Sequence, residues 1–182
     1  PENEELGNRE VVFGREIYIE RSDFMEEPVK KFFRLAPGKE VRLKGAYFIT
    51  CTDVIKDENG NITEIHCTYD PETKSGSGCT RKVKGTLHWV EASTAVDIES
   101  RLYDYLLKED SDGKDFLGDF NHESLQVFKS KGEACLATTV PGDHFQFLRQ
   151  GYFVTDKDST SDHIVVNRIV GLRDSWAKAQ KK

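Results

Sequence analysis

Long hydrophobic runs are missing from this 182-residue chain. No apolar stretch approaches the roughly 18 residues that a membrane-spanning helix requires, so no membrane partner is expected. The opening segment, PENEELGN, is acidic and polar and does not read as a secretory signal peptide. The chain also begins at Pro1 without a Met, and it reads as an excised or processed piece of a longer protein. Cysteine is scarce: Cys51, Cys67, Cys79 and Cys135 form no CxxC pair and no small disulfide framework. One reading draws Cys51, Cys67 and Cys79 together beside His66 as a zinc site; the plainer one, adopted here, is reduced, half-buried strand cysteines in a cytoplasmic protein. Catalytic signatures are missing too. The densest glycine run, SGSG before Cys79, lacks the Lys-Ser/Thr and the helix of a phosphate loop. His66, His88, His122, His144 and His163 stand without a second His at ligand spacing, and no GxSxG nucleophile elbow occurs. No catalytic residue and no metal ligand is therefore nominated. The chain reads as one that binds rather than catalyses.

What is present suits a folded β protein. A hydrophobic fraction of 37%, with 11 Phe, 6 Tyr and 2 Trp, is enough for a core, and 32% charged residues give a solvated surface. The length suits one large domain or two small ones. The patterning is mostly period two. REIYIERSDF sets Ile17 and Ile19 against Tyr18 and Glu20. Strands are expected over Tyr47–Ile55 and Ile62–Tyr69, joined through Asn59-Gly60, a pair that tolerates the positive φ of a tight hairpin. VKGTLHWVEA predicts another strand, after the Gly/Ser loop PETKSGSGCTRK. Two short helices are expected. One is SDFMEEPVKKFF, capped by Ser22 or Asp23 and broken by Pro28. The other is VDIESRLYDYLLKED, where Ile98, Leu102, Tyr105 and Leu106 fall at helical spacing. Past the acidic connection SDGKDFLGDFN, the strands SLQVFKS, ACLATTV, DHFQFLRQGYFVTD and HIVVNRIVGLRD follow, with a bend or bulge at Gly151. The pattern predicts two small antiparallel barrels or sandwiches divided near residues 93–96.

Charge is unevenly placed along the chain. Lys30, Lys31, Arg34, Lys39, Arg42 and Lys44 stand against Glu40 alone, a net +5 in a protein of net −6. Phe32, Phe33 and Tyr47 accompany them. Cations attract phosphate, and adjoining aromatics can stack unpaired bases, so single-stranded or looped RNA suits this stretch better than a closed duplex. Other readings are a solvated charged face with Phe32 and Phe33 in the core, or a protein-interaction β-domain docking an acidic partner.

Seven stretches then narrow the choice. GNREVVFGREIYIERSDF, RLAPGKEVRLKGAYFI, CTYDPET, RKVKGTLHWV, DIESRLYDYLL, FQFLRQGYF and NRIVGLRDSWAK follow one another from about residue 7 to 178. In that order they resemble the C-terminal anticodon-binding region of the glutaminyl-tRNA synthetase family, with glutamyl-tRNA synthetases of the same subfamily as the nearest alternative. The resemblance implies a mainly β fold of two six-stranded antiparallel β-barrels with short helices. The distal barrel would span residues 8–93 and the proximal one 94–182, with its first part upstream. It implies a monomeric, cytoplasmic protein whose partner is the tRNA(Gln) anticodon loop. ATP with magnesium, and the ligation of glutamine, would belong to an upstream catalytic domain of the same chain, with no cofactor in these residues.

The resemblance also implies base readers. KKFFRL matches the region that receives the third anticodon base, a G, with Lys31 and Arg34 as donors and Arg34 reaching O6 and N7. The family often carries Gln and Lys where Lys31 and Phe33 stand here. VRLKG matches the first-base site through Arg42 and Lys44, the latter where Arg is more familiar. FQFLR supplies Gln146 and Arg149 for the middle U, and Ser175 in LRDSW stands where the family usually has Thr. Strand alternation would put residues 146 and 149 on opposite faces, so this pairing requires the strand to bend or end near Gly151.

Overall fold

A computed structural model describes residues 7–172 and divides the chain into two units, Pro1–Ser93 and Thr94–Lys182. The first unit is built from six strands: β1 (Ile17–Ile19), β2 (Glu40–Leu43), β3 (Phe48–Lys56), β4 (Ile62–Asp70), β5 (Thr86–Leu87) and β6 (Trp89–Glu91). A four-stranded sheet runs in the order β4-β3-β2-β5, and β1 pairs with β6. Alternation sorts the side chains of β2: Val41 and Leu43 are buried, while Glu40 and Arg42 share the other, half-buried face. Leu35, Val41, Leu43, Ile49, Leu87 and Trp89 form the core, with Phe13, Ile17 and Ile19 packed against it. The β3–β4 hairpin turns over Asp57–Asn61, where Gly60 alone takes positive φ (81°). The Asp57 carboxylate organises this turn by accepting from the amides of Asn59 (2.9 Å) and Asn61 (2.8 Å). The Asp57 pKa is held below its ordinary value chiefly by the Asn61 side-chain amide. All four cysteines are free. Cys51 is buried and pairs in register with Cys67, whose thiol is pushed up to about 12 by desolvation and by the Cys51 sulfur. His66 hydrogen-bonds Glu64 at 3.0 Å.

The second unit is a single five-stranded sheet of β7 (Val96–Tyr103), β8 (Leu125–Gly132), β9 (His144–Phe147), β10 (Gly151–Thr155) and β11 (Ile164–Gly171), in the order β8-β7-β11-β10-β9. Its core joins Ile98, Leu136, Phe153, Ile164 and Val166. The rings of Phe147 and Phe153 stack 4.5 Å apart against it.

The mainly β architecture is what the sequence predicts, but several particulars differ. The described sheets do not close into barrels: six strands in one unit and five in the other leave open edges. Pairing is also not wholly antiparallel, since β2–β5 and β7–β11 run parallel. The expected helix over VDIESRLYDYLLKED is strand β7, flanked on both sides by partners that claim its backbone groups. There Ile98 and Ser100 turn inward while Asp97 and Tyr103 face out. SDFMEEPVKKFF yields only a 3-10 turn at Arg21–Asp23. The following backbone is taken by Leu35, whose amide donates to the Asp23 carbonyl (2.9 Å) and whose carbonyl accepts from Met25 (3.1 Å). ACLATTV is a 3-10 turn at Ala134–Thr138 rather than a strand. It dips Leu136 into the core over Gly132, where a Cβ would stand 2.5 Å from the leucine methyl.

Candidate nucleic-acid interface

The basic stretch begins with a reversal. Val29 to Phe32 form a β-turn closed by the Phe32 amide on the Val29 carbonyl (3.0 Å), with Lys31 third in the turn at φ 71°. A positive φ at the third turn position is the type II arrangement, which favours glycine. Lys31 holds it with an exposed ammonium.

Arg34 follows on a half-buried segment. Its Nη1 donates to the Ser22 carbonyl (3.0 Å) and hydroxyl (3.3 Å) and stands 3.5 Å from the Asp23 carboxylate, which is completely buried. A buried carboxylate needs a cation and hydrogen bonds, so Asp23 fixes the guanidinium as firmly as Arg34 neutralises the acid.

Arg42 projects from the outer face of β2, its guanidinium 4.3 Å from the centre of the Phe48 ring and its Nη1 donating to Ser75 Oγ at 3.3 Å. Arg81 reaches the same ring at 5.0 Å and pairs with Glu40 (2.9 Å) and Asp70 (2.5 Å). Lys44 stands exposed on the turn between β2 and β3, and its carbonyl accepts the Trp89 indole N–H at 2.9 Å. Lys31, Arg34, Arg42 and Lys44 thus all belong to the first unit.

In the second unit Gln146 lies exposed on edge strand β9, directly across from Tyr152. The strand stops at Phe147. A turn closed by the Gln150 amide on the Phe147 carbonyl (3.0 Å) puts Arg149 in its third position at φ 67°. The break in alternation needed to bring residues 146 and 149 to a common side is therefore present. The β10–β11 register also shifts between Tyr152 and Phe153, just past Gly151. Ser175 lies outside the described residues.

Sequence reasoning left the cations of TRKVKG unassigned. The fold brings two of them to the basic stretch: Arg81 joins Arg42 over Phe48, and Lys84 Nζ stands 4.9 Å from the Phe33 ring centre. Three cations within four residues, Arg81, Lys82 and Lys84, were the available signal. A cavity of about 400 Å³ opens beside them, bounded by Asp70, Glu72, Thr73, Ser77, Gly78, Cys79, Thr80 and Arg81. Two carboxylates line it, and the charge of Arg81 is already matched by Glu40 and Asp70, so it does not fit a nucleoside triphosphate. Among the described residues no cluster of three or more His, Cys, Asp or Glu side chains is placed to hold a metal ion.

Cations on turns and strand faces beside aromatic rings in the first unit, and an amide and an arginine at a strand end in the second, define a class of β modules suited to an anionic chain carrying unstacked bases. Comparison with known proteins narrows this class. Two family models, each described as the anti-codon binding domain of class I tRNA synthetases (E and Q), match residues 1–70 and 86–156. The chain belongs to this family. It is 55% identical over 181 residues to the glutamine–tRNA ligase of Clostridium perfringens, covering 97% of the chain and 33% of the relative. It is 55% identical over 180 residues to that of Clostridioides difficile, covering 96% and 32%, and 49% identical over 188 residues to that of Rhodopirellula baltica, covering 100% and 31%. The chain thus spans about a third of the length of the curated relatives it matches.

Proposed function

We propose that this chain is the anticodon-reading part of a glutamine–tRNA ligase, with residues 8–93 as its distal and 94–182 as its proximal module. Its partner is the tRNA(Gln) anticodon loop. ATP with magnesium, and glutamine itself, are handled by the rest of the full-length enzyme, a cytoplasmic monomer. The family supports the RNA partner, and relatives named as glutamine–tRNA ligases favour glutamine over glutamate.

One observation carries the residue assignment. Among the described residues, the non-glycine positions with left-handed backbone are Lys31 and Arg149, each third in a β-turn and each a nominated base reader. Such backbone is disfavoured by about 1–3 kcal/mol and tends to persist where the direction of the side chain matters. The division of labour follows from donors and acceptors. A Gln146 amide accepts from uracil N3–H and donates to O4, but flipped by 180° it would match cytosine equally well. Arg149 only donates, so it accepts uracil O4 as a partner and is repelled by the amino group of cytosine. Discrimination at the middle base therefore rests on Arg149 and adhesion on both. Arg34 pairs in the same way with guanine at the third base, Lys31 and Lys44 supply charge beside it and the first base, Arg42 faces the first base, and Ser175 supports the middle pocket.

Fluorescence anisotropy with a labelled anticodon stem-loop carrying CUG tests this. Changing the middle U to C is expected to weaken binding about tenfold or more, as one good base contact is worth about 1–3 kcal/mol. Arg149→Ala is expected to bind both loops alike. Equal binding of both loops by the unaltered chain would refute the reading.

A further inference from the structure

The turn at Lys31 sends the two phenylalanines that follow it to different places. Phe32 is half-buried, whereas Phe33 remains 50% exposed. The position of Phe33 is nonetheless fixed. Its carbonyl oxygen lies against Gly85, where a Cβ would come within 2.1 Å, so a side chain at residue 85 would push the two backbones apart. The Gly85 carbonyl in turn accepts from the Arg42 amide at 2.9 Å, which locks this junction to β2. The same junction delivers Lys84, whose ammonium rests over the Phe33 ring. A cation on the ring face orients the ring and leaves positive charge beside it. Lys31, Lys82 and Lys84 are all exposed around this point. An aromatic ring anchored through its backbone, half open to water and capped by an ammonium group has no role in the core of the unit.

We propose that Phe33, oriented by Lys84, is a stacking platform for the unpaired base that Arg34 reads, with Lys84 neutralising the phosphate of that nucleotide. This rests on the anticodon-binding reading given above. Every base offers a π-face, so the platform adds affinity without choosing the base, and Arg34 retains the choice.

The test is a double-mutant cycle by anisotropy, pairing Phe33→Ala with an anticodon stem-loop that is abasic at the third position. Phe33→Ala is expected to weaken the intact loop by about 5- to 150-fold, the range found when a base-stacking aromatic is truncated. Both proteins are expected to bind the abasic loop within about twofold of each other, since independent contacts vary little between partners. Phe33→Trp should bind the intact loop at least as tightly, and Phe33→Leu should behave like Phe33→Ala. Lys84→Gln should reduce the slope of log K against log salt by about 0.7, the value for one phosphate contact on a single strand. Melting followed by circular dichroism identifies any variant that fails to fold, and Phe33→Trp supplies the comparison in that event. If Phe33→Ala binds the intact loop as the unaltered chain does, while selection of the middle U persists, the platform is wrong and the anticodon reading stands. Equal loss on intact and abasic loops would also overturn it, because the ring would then act through the protein and not the base. If the unaltered chain binds no loop selectively, the anticodon reading fails and the platform with it.

Discussion

Lys31→Gly and Lys31→Ala both remove the ammonium, so a difference between them reports the backbone alone. At φ 71° an L-residue carries the left-handed penalty, about 1–2 kcal/mol, and glycine does not. Glycine loses more conformational freedom on folding than alanine, by about 0.5–1 kcal/mol. The balance leaves Lys31→Gly more stable than Lys31→Ala by about 0.5–1 kcal/mol, with the unaltered chain close to the alanine variant. For a chain of this length that corresponds to a rise in melting temperature of about 1–4 °C. Urea unfolding followed by circular dichroism and by the fluorescence of the buried Trp89 would measure it. RNA affinity should fall equally in both variants. In extended or helical backbone the order would reverse, because alanine is there the more stable residue. A glycine variant no more stable than the alanine one would mean that Lys31 is not left-handed in solution. The turn would then not be kept for the direction of the Lys31 side chain.

Other outcomes follow from groups already described. Asp23→Ala leaves Arg34 without its buried partner and should destabilise by about 3 kcal/mol in urea unfolding, the usual loss when one member of a buried pair is removed. A change within 0.5 kcal/mol would show that the pair is not what holds Arg34. Acid should weaken the second unit. The Arg101 guanidinium, donating at 2.6 Å and assisted by His163, holds the Glu99 carboxyl below its ordinary 4.5. The Asp158 amide and the Asn167 side chain hold Asp156 below 3.8. Both groups are depressed in the folded state, so their contribution is fully present above those ordinary values and is lost as pH falls through the lowered ones. Melting temperatures from pH 3 to 7 should thus hold steady at the upper end and drop below about pH 4.5, less steeply in Glu99→Gln.

The sequence showed its strands where one face is dry and the other wet. Ile17 and Ile19 alternating with the exposed Tyr18 mark β1, and the Asn59-Gly60 pair marks its hairpin. It misled where a pattern fits two periods. Ile98 and Leu102 are four apart, so they share a face in a helix and also in a strand. Partners drawn from residues 125–132 and 164–171 decide between the two, and no local window contains them. The candidate site divides in the same way. Its residue types and charge are visible in KKFFRLAPGKEVRLK, and the resemblance named the readers. The buried acid behind Arg34 and the lysine over Phe33 were not visible. Asp23 looks like a helix cap, and Lys84 meets Phe33 only because Gly85 lets two distant backbones touch.

The parallel pairing of β7 with β11 has a consequence for how the protein is made. One edge of β7 is satisfied by β8, which follows closely, but the other waits for β11, with Ile98 partnered by Ile164. At ribosomal speeds of about 5–20 residues per second, that edge emerges roughly 3–13 s before its partner exists. During this interval a nascent strand carrying Val96, Ile98 and Leu102 presents unpaired amides and carbonyls to any neighbouring chain. Chains released before Ile164 keep that edge open permanently, so the last strand of the sheet is also what closes the window for aggregation.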